Sequence, residues 1–274
     1  MGSLRTYQAA TQKGTITYHV GPVCSARLRG LLVVVHGRSR SVMLLAEAFA
    51  EAANAEGFTV LMPVFDRQTY GGFQILRGLG GPNAASDALS AACEDAAWRL
   101  GIVPSPVALF GFSGGAQFAH RYAMRFPERV TGLVAAAAGW YTMPNPRLAF
   151  PFGCAPSSHM PEGIPDLGAF LRVPTRVMVG DQDVERDNHL RTSRAIDEEQ
   201  GLHRFERARR WLDALSRSAM DRGIGADIAL EVLPGCGHSA AEAIRNGALV
   251  QRSVSFLASH QASPQSAEGQ LIHG

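Results

Sequence analysis

The amino-acid sequence predicts an α/β fold with one mostly parallel central sheet and helices on both of its faces. Short apolar runs alternate with longer helical patterns along the 274 residues, as they do in successive strand–helix units. Several of these runs are continuously apolar, which is typical of parallel strands covered on both faces. With 46% hydrophobic and 18% charged residues, the chain can also bury a substantial core.

Six strands are predicted from these apolar runs. The first run ends at His36-Gly37, and Pro63 ends the second because proline cannot donate a ladder hydrogen bond. The run before the glycine-rich segment near residue 111 is short and wholly apolar, so it is expected to be buried. The predicted strands lie at 31–35, 58–62, 107–110, 130–138, 175–179 and 228–233.

The helices are predicted from apolar residues that recur every three or four positions. One helix carries Phe118, Tyr122 and Phe126 at four-residue spacing, and Pro127 ends it. The charged stretch 184–210 is interpreted as a solvated surface loop and the start of a helix. The other predicted helices lie at 43–55, 88–100, 205–222 and 240–259.

A single domain is expected over residues 1–260, because the sequence holds no internal repeat and no linker-like break. From Gln261 onward the composition is dominated by serine, glutamine, glycine and proline. Such a composition buries little apolar surface, so residues 261–274 are expected to form a disordered tail.

Charge and composition argue against several classes of partner. The net charge of +2, from 26 basic and 24 acidic residues, does not indicate a nucleic-acid partner. No apolar run is long enough to span a membrane and no signal peptide is visible, so a cytoplasmic location is expected. The cysteines lack metal-site spacing and are interpreted as thiols of a reducing compartment, with one disulfide left open. They are Cys24, Cys93, Cys154 and Cys236.

The strongest functional motif is Gly111-Phe112-Ser113-Gly114-Gly115, which has the pattern G-x-S-x-G. A predicted buried strand precedes it and a predicted helix follows, which is the context that the motif requires. The sharp turn between them would expose the serine hydroxyl near a helix N-terminus, where negative charge is favoured. Ser113 is therefore the predicted nucleophile.

A serine nucleophile needs a base and a group that orients the base. His238 directly follows the predicted strand 228–233, so its imidazole is expected at the same sheet edge as Ser113. Three carboxylates follow the strand 175–179 and compete for the role of the acid. They are Asp183, Asp181 and the more distant Asp187.

Further site residues are predicted from their position at the ends of strands. The backbone N–H groups of Gly114 and Arg38 are the candidates for an oxyanion hole, and His36 is expected to order the loop that carries Arg38. Aromatic residues near the same edge could line a substrate pocket. These pocket candidates are Trp140, Tyr141 and Tyr70.

The strand-end motifs together resemble those of the α/β-hydrolase superfamily, from about Gly30 to Ala258. In that superfamily the acid commonly ends a G-x-x-D run, so the resemblance favours Asp183 over Asp181. The chain looks like the lidless esterases and the polyhydroxyalkanoate depolymerase-like group. Where many relatives insert a cap, the segment 141–171 is short and holds six prolines. A rigid loop forming one wall of an open site is expected there, without a separate cap domain.

The resemblance implies a serine hydrolase that cleaves a small-molecule carboxylic ester through an acyl-enzyme, with no metal and no organic cofactor. A peptidase, thioesterase, lactonase or acyltransferase with the same three residues is the alternative reading of the site. A non-catalytic ligand-binding protein is an alternative of a different class. If the Arg38 guanidinium faces the site, an acidic substrate is favoured, because arginine binds carboxylates in a forked geometry.

Overall fold

An eight-stranded sheet forms the centre of the computed structural model, which describes residues 4–12, 14–23, 28–103 and 106–261. Six of its strands coincide with the predicted ones to within two residues at either end. The strands are β1 (Arg5–Thr11), β2 (Gly14–Val20), β3 (Gly30–Val35), β4 (Phe58–Val64), β5 (Val107–Phe112), β6 (Val130–Ala136), β7 (Thr175–Gly180) and β8 (Ile228–Leu233).

The sheet is mostly parallel, so the predicted fold class is confirmed. Its strand order is β1-β2-β4-β3-β5-β6-β7-β8. The strands from β4 to β8 in this order are parallel, whereas β1 pairs antiparallel with β2 and β2 pairs antiparallel with β4. The carboxyl ends of the six parallel strands therefore meet at one edge, which is where open α/β sheets bind their ligands.

The two N-terminal strands were missing from the sequence prediction. In β2 the buried residues are Ile16, Tyr18 and Val20, which alternate with residues that keep some exposure. A half-buried antiparallel strand shows this period of two and no continuous apolar run. No continuous apolar run marks β1 or β2, so such runs do not predict them.

Helices cover both faces of the sheet, as predicted. In the described part of the chain they are α1 (Val42–Ala55), α2 (Ala84–Leu100), α3 (Gly114–Arg125), α4 (Leu167–Phe170), α5 (Arg194–Gln200), α6 (Arg204–Asp221), α7 (Ala240–Arg245) and α8 (Leu249–Ser259), with short 3₁₀ turns at Phe73–Ile75 and Pro127–Arg129. The apolar sides of α2, α3 and α6 pack on one face of the sheet, and those of α1 and α8 pack on the other.

One predicted helix is divided into two, and one predicted strand ends earlier than the sequence pattern suggests. The predicted helix 240–259 is divided into α7 and α8, because Ala248 has a left-handed φ of 51° that cannot continue a helix. The preceding turn requires glycine, since a Cβ on Gly247 would lie 2.9 Å from the Ala243 carbonyl oxygen. The predicted strand 130–138 ends at Ala136 because Ala137 also has a φ of 51°.

The connection between β6 and β7 carries no cap domain. Its described residues form one four-residue helix, α4, and short bridges such as that between Ala149 and Ala155. The prolines of this segment prevent longer helices, because proline removes a helix hydrogen bond and clashes with the preceding turn. The sheet edge at the carboxyl ends of the strands therefore stays open.

The C-terminal end of the described chain is tied to the sheet. The Gln261 side chain accepts a hydrogen bond from Thr131 Oγ1 (2.7 Å) and donates one to the Arg29 carbonyl oxygen (3.0 Å). Gln261 is therefore ordered, although the sequence places it in the disordered tail. The remainder of that predicted tail, 262–274, lies outside the described residues.

Cys93, Cys154 and Cys236 carry free thiols, and Cys24 lies outside the described residues. Within the described ranges, no helix combines the length and the apolar character that crossing a membrane requires.

Candidate active site

Ser113 lies in a strained turn between β5 and α3. Its φ of 53° and ψ of −111° place a non-glycine residue in a sparsely populated region, at a cost of about 1–3 kcal/mol. Its N–H is held by the Ala136 carbonyl oxygen at 2.8 Å. Two glycines make the turn possible: a Cβ on Gly111 would lie 2.3 Å from the Gly115 carbonyl oxygen, and one on Gly115 would lie 2.1 Å from the Val35 carbonyl oxygen.

The hydroxyl of Ser113 begins a series of three hydrogen-bonded side chains. Its Oγ lies 3.0 Å from His238 Nε2, and His238 Nδ1 lies 2.8 Å from Asp183 Oδ2. A carboxylate can only accept, so Nδ1 carries the proton and Nε2 is left to accept from the serine hydroxyl. The Asp183 side chain is fully buried, whereas 19% of the His238 side chain is exposed. The imidazole therefore connects a buried charge to a hydroxyl at the surface of the site.

The three carboxylates that follow β7 have different partners. Asp183 alone among them contacts His238. Asp181 Oδ1 accepts the N–H of Gly235 at 2.8 Å, and so closes a turn. Asp187 Oδ1 accepts the N–H groups of His189 (2.7 Å) and Leu190 (2.9 Å). The geometry thus assigns Asp181 and Asp187 to loop structure.

A buried arginine holds the other oxygen of Asp183. Arg204 is 1% exposed, and its Nη1 lies 3.3 Å from Asp183 Oδ1. The same guanidinium donates to both oxygens of Asp187, at 3.0 and 3.1 Å. Although partial burial opposes ionisation, these hydrogen bonds lower the pKa of Asp187 to about 2. Arg204 therefore compensates two carboxylates and leaves Asp183 Oδ2 free for His238.

The stretch 184–210 was predicted as a solvated surface loop and the start of a helix, and this holds only in part. Residues 184–195 are mostly exposed and α6 begins at Arg204, but two arginines of the stretch are buried. The stretch also contains α5. Its residues Arg204 and Arg207, in the first turn of α6, are fully buried. Arg207 donates to the Gly139 carbonyl oxygen (2.6 Å) and pairs with Asp197 (2.8 Å). Charged residues are buried here because arginines and carboxylates of the same stretch satisfy one another.

Two backbone N–H groups lie together beside Ser113. The amide of Gly114 is the first of α3 and so has no partner within the helix. A Cβ on Gly114 would lie 3.1 Å from the backbone nitrogen of Arg38, which follows β3. Neither amide donates to an acceptor among the described residues. The two predicted oxyanion-hole donors are therefore neighbours with free N–H groups.

His36 fixes the loop that carries Arg38. Its Nδ1 donates to the Gly37 carbonyl oxygen (2.8 Å), and its Nε2 accepts the N–H of Phe65 (3.0 Å). Burial lowers the pKa of His36 to about 4, so the imidazole is neutral at neutral pH. A neutral imidazole is required here, because one nitrogen donates and the other accepts.

Ser113 opens into a cavity of about 790 Å³ at the sheet edge. Leu44, Leu45, Phe73 and Phe112 contribute apolar surface to its lining. A second cavity of about 350 Å³ adjoins it and shares several lining residues with it. The shared residues are Arg38, Gln74, Gln117 and His189.

The predicted pocket aromatics lie mostly in the core. Tyr141 is fully buried and stacks on Trp211 with ring centroids 4.5 Å apart. Tyr70 is 3% exposed and packs edge-on against Phe65 at 5.6 Å. Neither lines the two cavities, so these two predictions are wrong: the rings pack down between the sheet and its helices. Trp140 lines the smaller cavity.

The proline-rich segment does not form a wall of the site, contrary to the prediction. Its Phe152 packs against Trp140, with ring centroids 5.3 Å apart, and the segment contributes no lining residue to either cavity. Gln74 and Gln117 line both cavities and were not predicted. Gln117 follows Ser113 by four residues, so helical spacing could have placed it on the same face. Gln74 follows a loop and gave no comparable signal.

The fold and the geometry around Ser113 are similar to those of hydrolases in which a serine stands at the end of a strand. The family comparison agrees: residues 32–250 match the model of the alpha/beta hydrolase family. The chain belongs to this family. In the described part of the chain, no cluster of three or more histidine, cysteine or acidic side chains could hold a metal ion.

Solved structures of hydrolases have the same fold. Poly(aspartic acid) hydrolase-1 from Sphingomonas sp. KT-1 is similar with a TM-score of 0.77 and 22% identity, over 93% of this chain and 98% of its own. The poly(3-hydroxybutyrate) depolymerase from Bordetella parapertussis has a TM-score of 0.74 and 24% identity, over 98% of this chain and 94% of its own. A lidless serine hydrolase from Xanthomonas campestris has a TM-score of 0.55 and 15% identity, over 97% of this chain and 98% of its own.

No curated protein matches this chain. At identities below 25%, the structural likenesses establish the shared fold and leave the substrate open. What is established is that the protein is a hydrolase of the alpha/beta hydrolase family.

Proposed function

We propose that this protein is a serine hydrolase that cleaves carboxylic esters through an acyl-enzyme. The observation that carries the proposal is the series Ser113–His238–Asp183, with distances of 3.0 and 2.8 Å. It lies beside two free N–H groups at a strained turn. Nucleophile, base, orienting acid and oxyanion donors are the parts that acyl transfer to a serine needs.

In the first half-reaction, the Ser113 oxygen attacks the ester carbonyl carbon while its proton passes to His238 Nε2. The carbonyl electron pair moves onto the oxygen, which the N–H groups of Gly114 and Arg38 then bind. Asp183 stabilises the imidazolium that has formed. The carbonyl reforms, the bond to the alcohol oxygen breaks, and His238 gives its proton to that leaving oxygen.

In the second half-reaction, water takes the place of the alcohol. His238 removes a proton from the water as it attacks the acyl carbon, and the same two amides bind the second oxyanion. Collapse returns the proton to Ser113 Oγ and releases the carboxylic acid. The open cavity of about 790 Å³ in front of Ser113 gives water access to the acyl-enzyme.

The test is hydrolysis of 4-nitrophenyl acetate and butyrate by the wild type and by Ser113→Ala. We expect the variant to lose at least about 10⁴-fold in kcat, since loss of the nucleophile removes the acyl-enzyme route. Ser255→Ala, at an exposed serine of α8, is the matched control and should keep wild-type activity. Retained activity in folded Ser113→Ala would overturn the proposal.

The same assay separates the alternatives. Amide, thioester and lactone substrates distinguish an esterase from a peptidase, thioesterase or lactonase that uses the same three residues. A non-catalytic member of the fold would bind a ligand tightly with negligible turnover of every substrate.

We further propose that a small-molecule ester is the partner, that no nucleic acid or membrane is bound, and that the enzyme acts in the cytoplasm. The free thiols of Cys93, Cys154 and Cys236 fit that location.

A further inference from the structure

The two cavities beside Ser113 are lined by basic residues and by no acidic ones. No aspartate or glutamate is among the described residues that line either cavity. The whole chain has a net charge of only +2, so basic charge is concentrated at the site. Field lines focus in such a cleft and attract anions. The lining arginines are Arg38, Arg40, Arg67, Arg191 and Arg204.

These arginines differ in whether their charge is already compensated. Arg204 is neutralised by Asp183 and Asp187. Among the described residues, by contrast, Arg38 and Arg191 form no ion pair, and both are exposed. Their guanidinium groups are therefore free to bind a ligand at the smaller cavity, which both of them line.

The Arg40 side chain holds the loop that carries Arg38 through hydrogen bonds to backbone carbonyl oxygens. Its Nε donates to the Phe65 carbonyl oxygen (2.6 Å) and its Nη1 to the Arg38 carbonyl oxygen (3.0 Å). A nearby acid, Asp66, uses its Oδ1 to accept the N–H groups of Gln68 and Thr69. Asp66 forms no ion pair with Arg38 or Arg40 within the described ranges, so it offsets the positive charge of the loop only from a distance.

A buried arginine lies beneath the smaller cavity. Arg121 follows Ser113 and Gln117 on one face of α3, at four-residue steps. Its Nη1 donates to the carbonyl oxygens of Gln74 (2.8 Å) and Gln117 (3.1 Å), two residues of the cavity lining. Its Nη2 is buried and has no hydrogen-bond partner. No carboxylate of the described chain pairs with Arg121, so its charge is unmatched inside the protein.

The Trp140 ring contacts the guanidinium groups of both the buried Arg121 and the exposed Arg191. The guanidinium carbon of Arg121 lies 4.2 Å from the centroid of the Trp140 ring, and that of Arg191 lies 4.9 Å from it. Two cations therefore share one ring at the side of the smaller cavity. A buried cation is costly without an opposite charge, and cation–π contacts offset only part of that cost. An anion bound in this cavity would offset more of it.

We propose that the substrate carries a carboxylate on its acyl side, and that Arg38 and Arg191 bind this carboxylate in the smaller cavity above Arg121. The inference rests on the proposed ester hydrolysis and adds the class of substrate to it. Forked guanidinium groups match carboxylate geometry, and Gln74 and Gln117 offer amides beside them. A Cβ on Gly114 would lie 3.0 Å from Gln74 Nε2, so this subsite begins directly beside the nucleophile.

The experiment compares mono-4-nitrophenyl adipate with 4-nitrophenyl hexanoate, which share a six-carbon acyl chain and a leaving group and differ in one terminal carboxylate. We expect the wild type to prefer the adipate ester by about tenfold or more in kcat/KM, and the preference to shrink as salt is added. Arg38→Gln and Arg191→Gln should each reduce it about tenfold. Glutamine keeps the Cγ that packs beside Gly114, so the Arg38 backbone amide stays in place.

Arg217→Gln is the matched control, because Arg217 is exposed on α6 and lines neither cavity. It removes the same charge from the protein and should leave the preference at its wild-type value. Equal hydrolysis of the two esters by the wild type would overturn the carboxylate subsite while leaving ester hydrolysis intact. So would an equal loss of preference in all three variants.

Failure of the proposed function has a different signature, namely hydrolysis that survives in Ser113→Ala. If the wild type turns over neither ester, the subsite is tested through the rate at which a fluorophosphonate labels Ser113. Protection by adipate but not by neutral hexanamide supports the carboxylate subsite. Equal labelling rates with both additives overturn it.

Discussion

The turn at residues 111–115 and the stretch 184–210 both serve the site, but they are built in opposite ways. In the turn, neighbouring residues suffice: Gly111 and Gly115 allow the close contacts that present Ser113. In the stretch, Arg204 reaches back 21 residues to Asp183 and holds it by a buried ion pair. One region is specified by local backbone sterics, and the other by charges that meet only in the folded chain.

The difference decides which region the sequence predicts. Two glycines that flank a serine between a buried strand and a helix are specific to such a turn, so five residues are enough to predict it. Charged residues usually lie in solvent, so a stretch rich in arginine and carboxylates is assigned to the surface. The pairing that buries them leaves no pattern along the chain. Substitutions in the two regions should therefore fail in different ways.

The largest effect separates two of the three carboxylates that follow β7. Asp183→Asn should lower kcat by about 10⁴-fold, because the neutral amide no longer stabilises the imidazolium and favours the wrong tautomer of His238. Asp181→Asn should change kcat by no more than a few-fold, since Asp181 only closes a turn with Gly235. The assay is ester hydrolysis at saturating substrate. Comparable losses in the two variants would contradict the separate roles.

The next effect concerns the buried ion pair. Arg204→Met keeps a long apolar side chain but leaves Asp183 and Asp187 without their counter-charge, so the free energy of unfolding should fall by about 3–5 kcal/mol. Chemical denaturation gives this quantity. Arg194→Met is the control, because Arg194 pairs with Glu198 on the surface and is 90% exposed. If the two variants were equally stable, Arg204 would not be the central cation of this stretch.

Disrupting the turn at residues 111–115 should lower the free energy of unfolding somewhat less than Arg204→Met does. Gly115→Ala brings a Cβ to 2.1 Å from the Val35 carbonyl oxygen, so β3 and α3 must separate, at about 3 kcal/mol of unfolding free energy. Activity should also fall, because the displacement moves Ser113 and the Gly114 amide. Gly225→Ala is the control, since a Cβ there meets no atom within 4 Å. Wild-type stability in Gly115→Ala would show that the turn tolerates a side chain at this position.

The weakest effect is a pH dependence from His36. Its pKa in the folded protein, about 4, lies below the ordinary value of 6.5, so the unfolded chain takes up the proton first as pH falls. Stability from this group is complete above pH 6.5 and is lost as pH falls toward 4. Between pH 7 and pH 5 the loss should be about 2 kcal/mol.

The pH effect is measured by denaturation of the wild type and of His36→Gln at several pH values. The glutamine does not titrate, so the difference between the two stability curves isolates His36 from the other buried groups. A pH-independent difference between the curves would contradict a neutral His36 in the folded chain.

The sequence predicted the parallel part of the sheet and the absence of a cap, and both are confirmed. Continuous apolar runs mark the parallel strands, whereas the alternating pattern of β1 and β2 was missed. For the site, chain order placed Ser113, Asp183 and His238 at one sheet edge, where they form hydrogen bonds. Their catalytic roles remain proposals.

The pocket was harder to predict than the strands. Tyr141 lies at a strand end but turns into the core, where it stacks on Trp211. Gln74 and Gln117 line the cavities through loop and helix positions that depend on tertiary packing. Whether a strand-end side chain points into the site or into the core is decided by neighbours from distant parts of the chain.

The proposed hydrolysis depends above all on Ser113 being an activated nucleophile. The most direct measurement is reaction of the folded wild type with a fluorophosphonate, followed by peptide mass spectrometry. We expect one adduct per chain, on Ser113, that is absent after heat denaturation and absent in Ser113→Ala. A folded protein that acquires no adduct, or that acquires it on another residue, would contradict an activated Ser113.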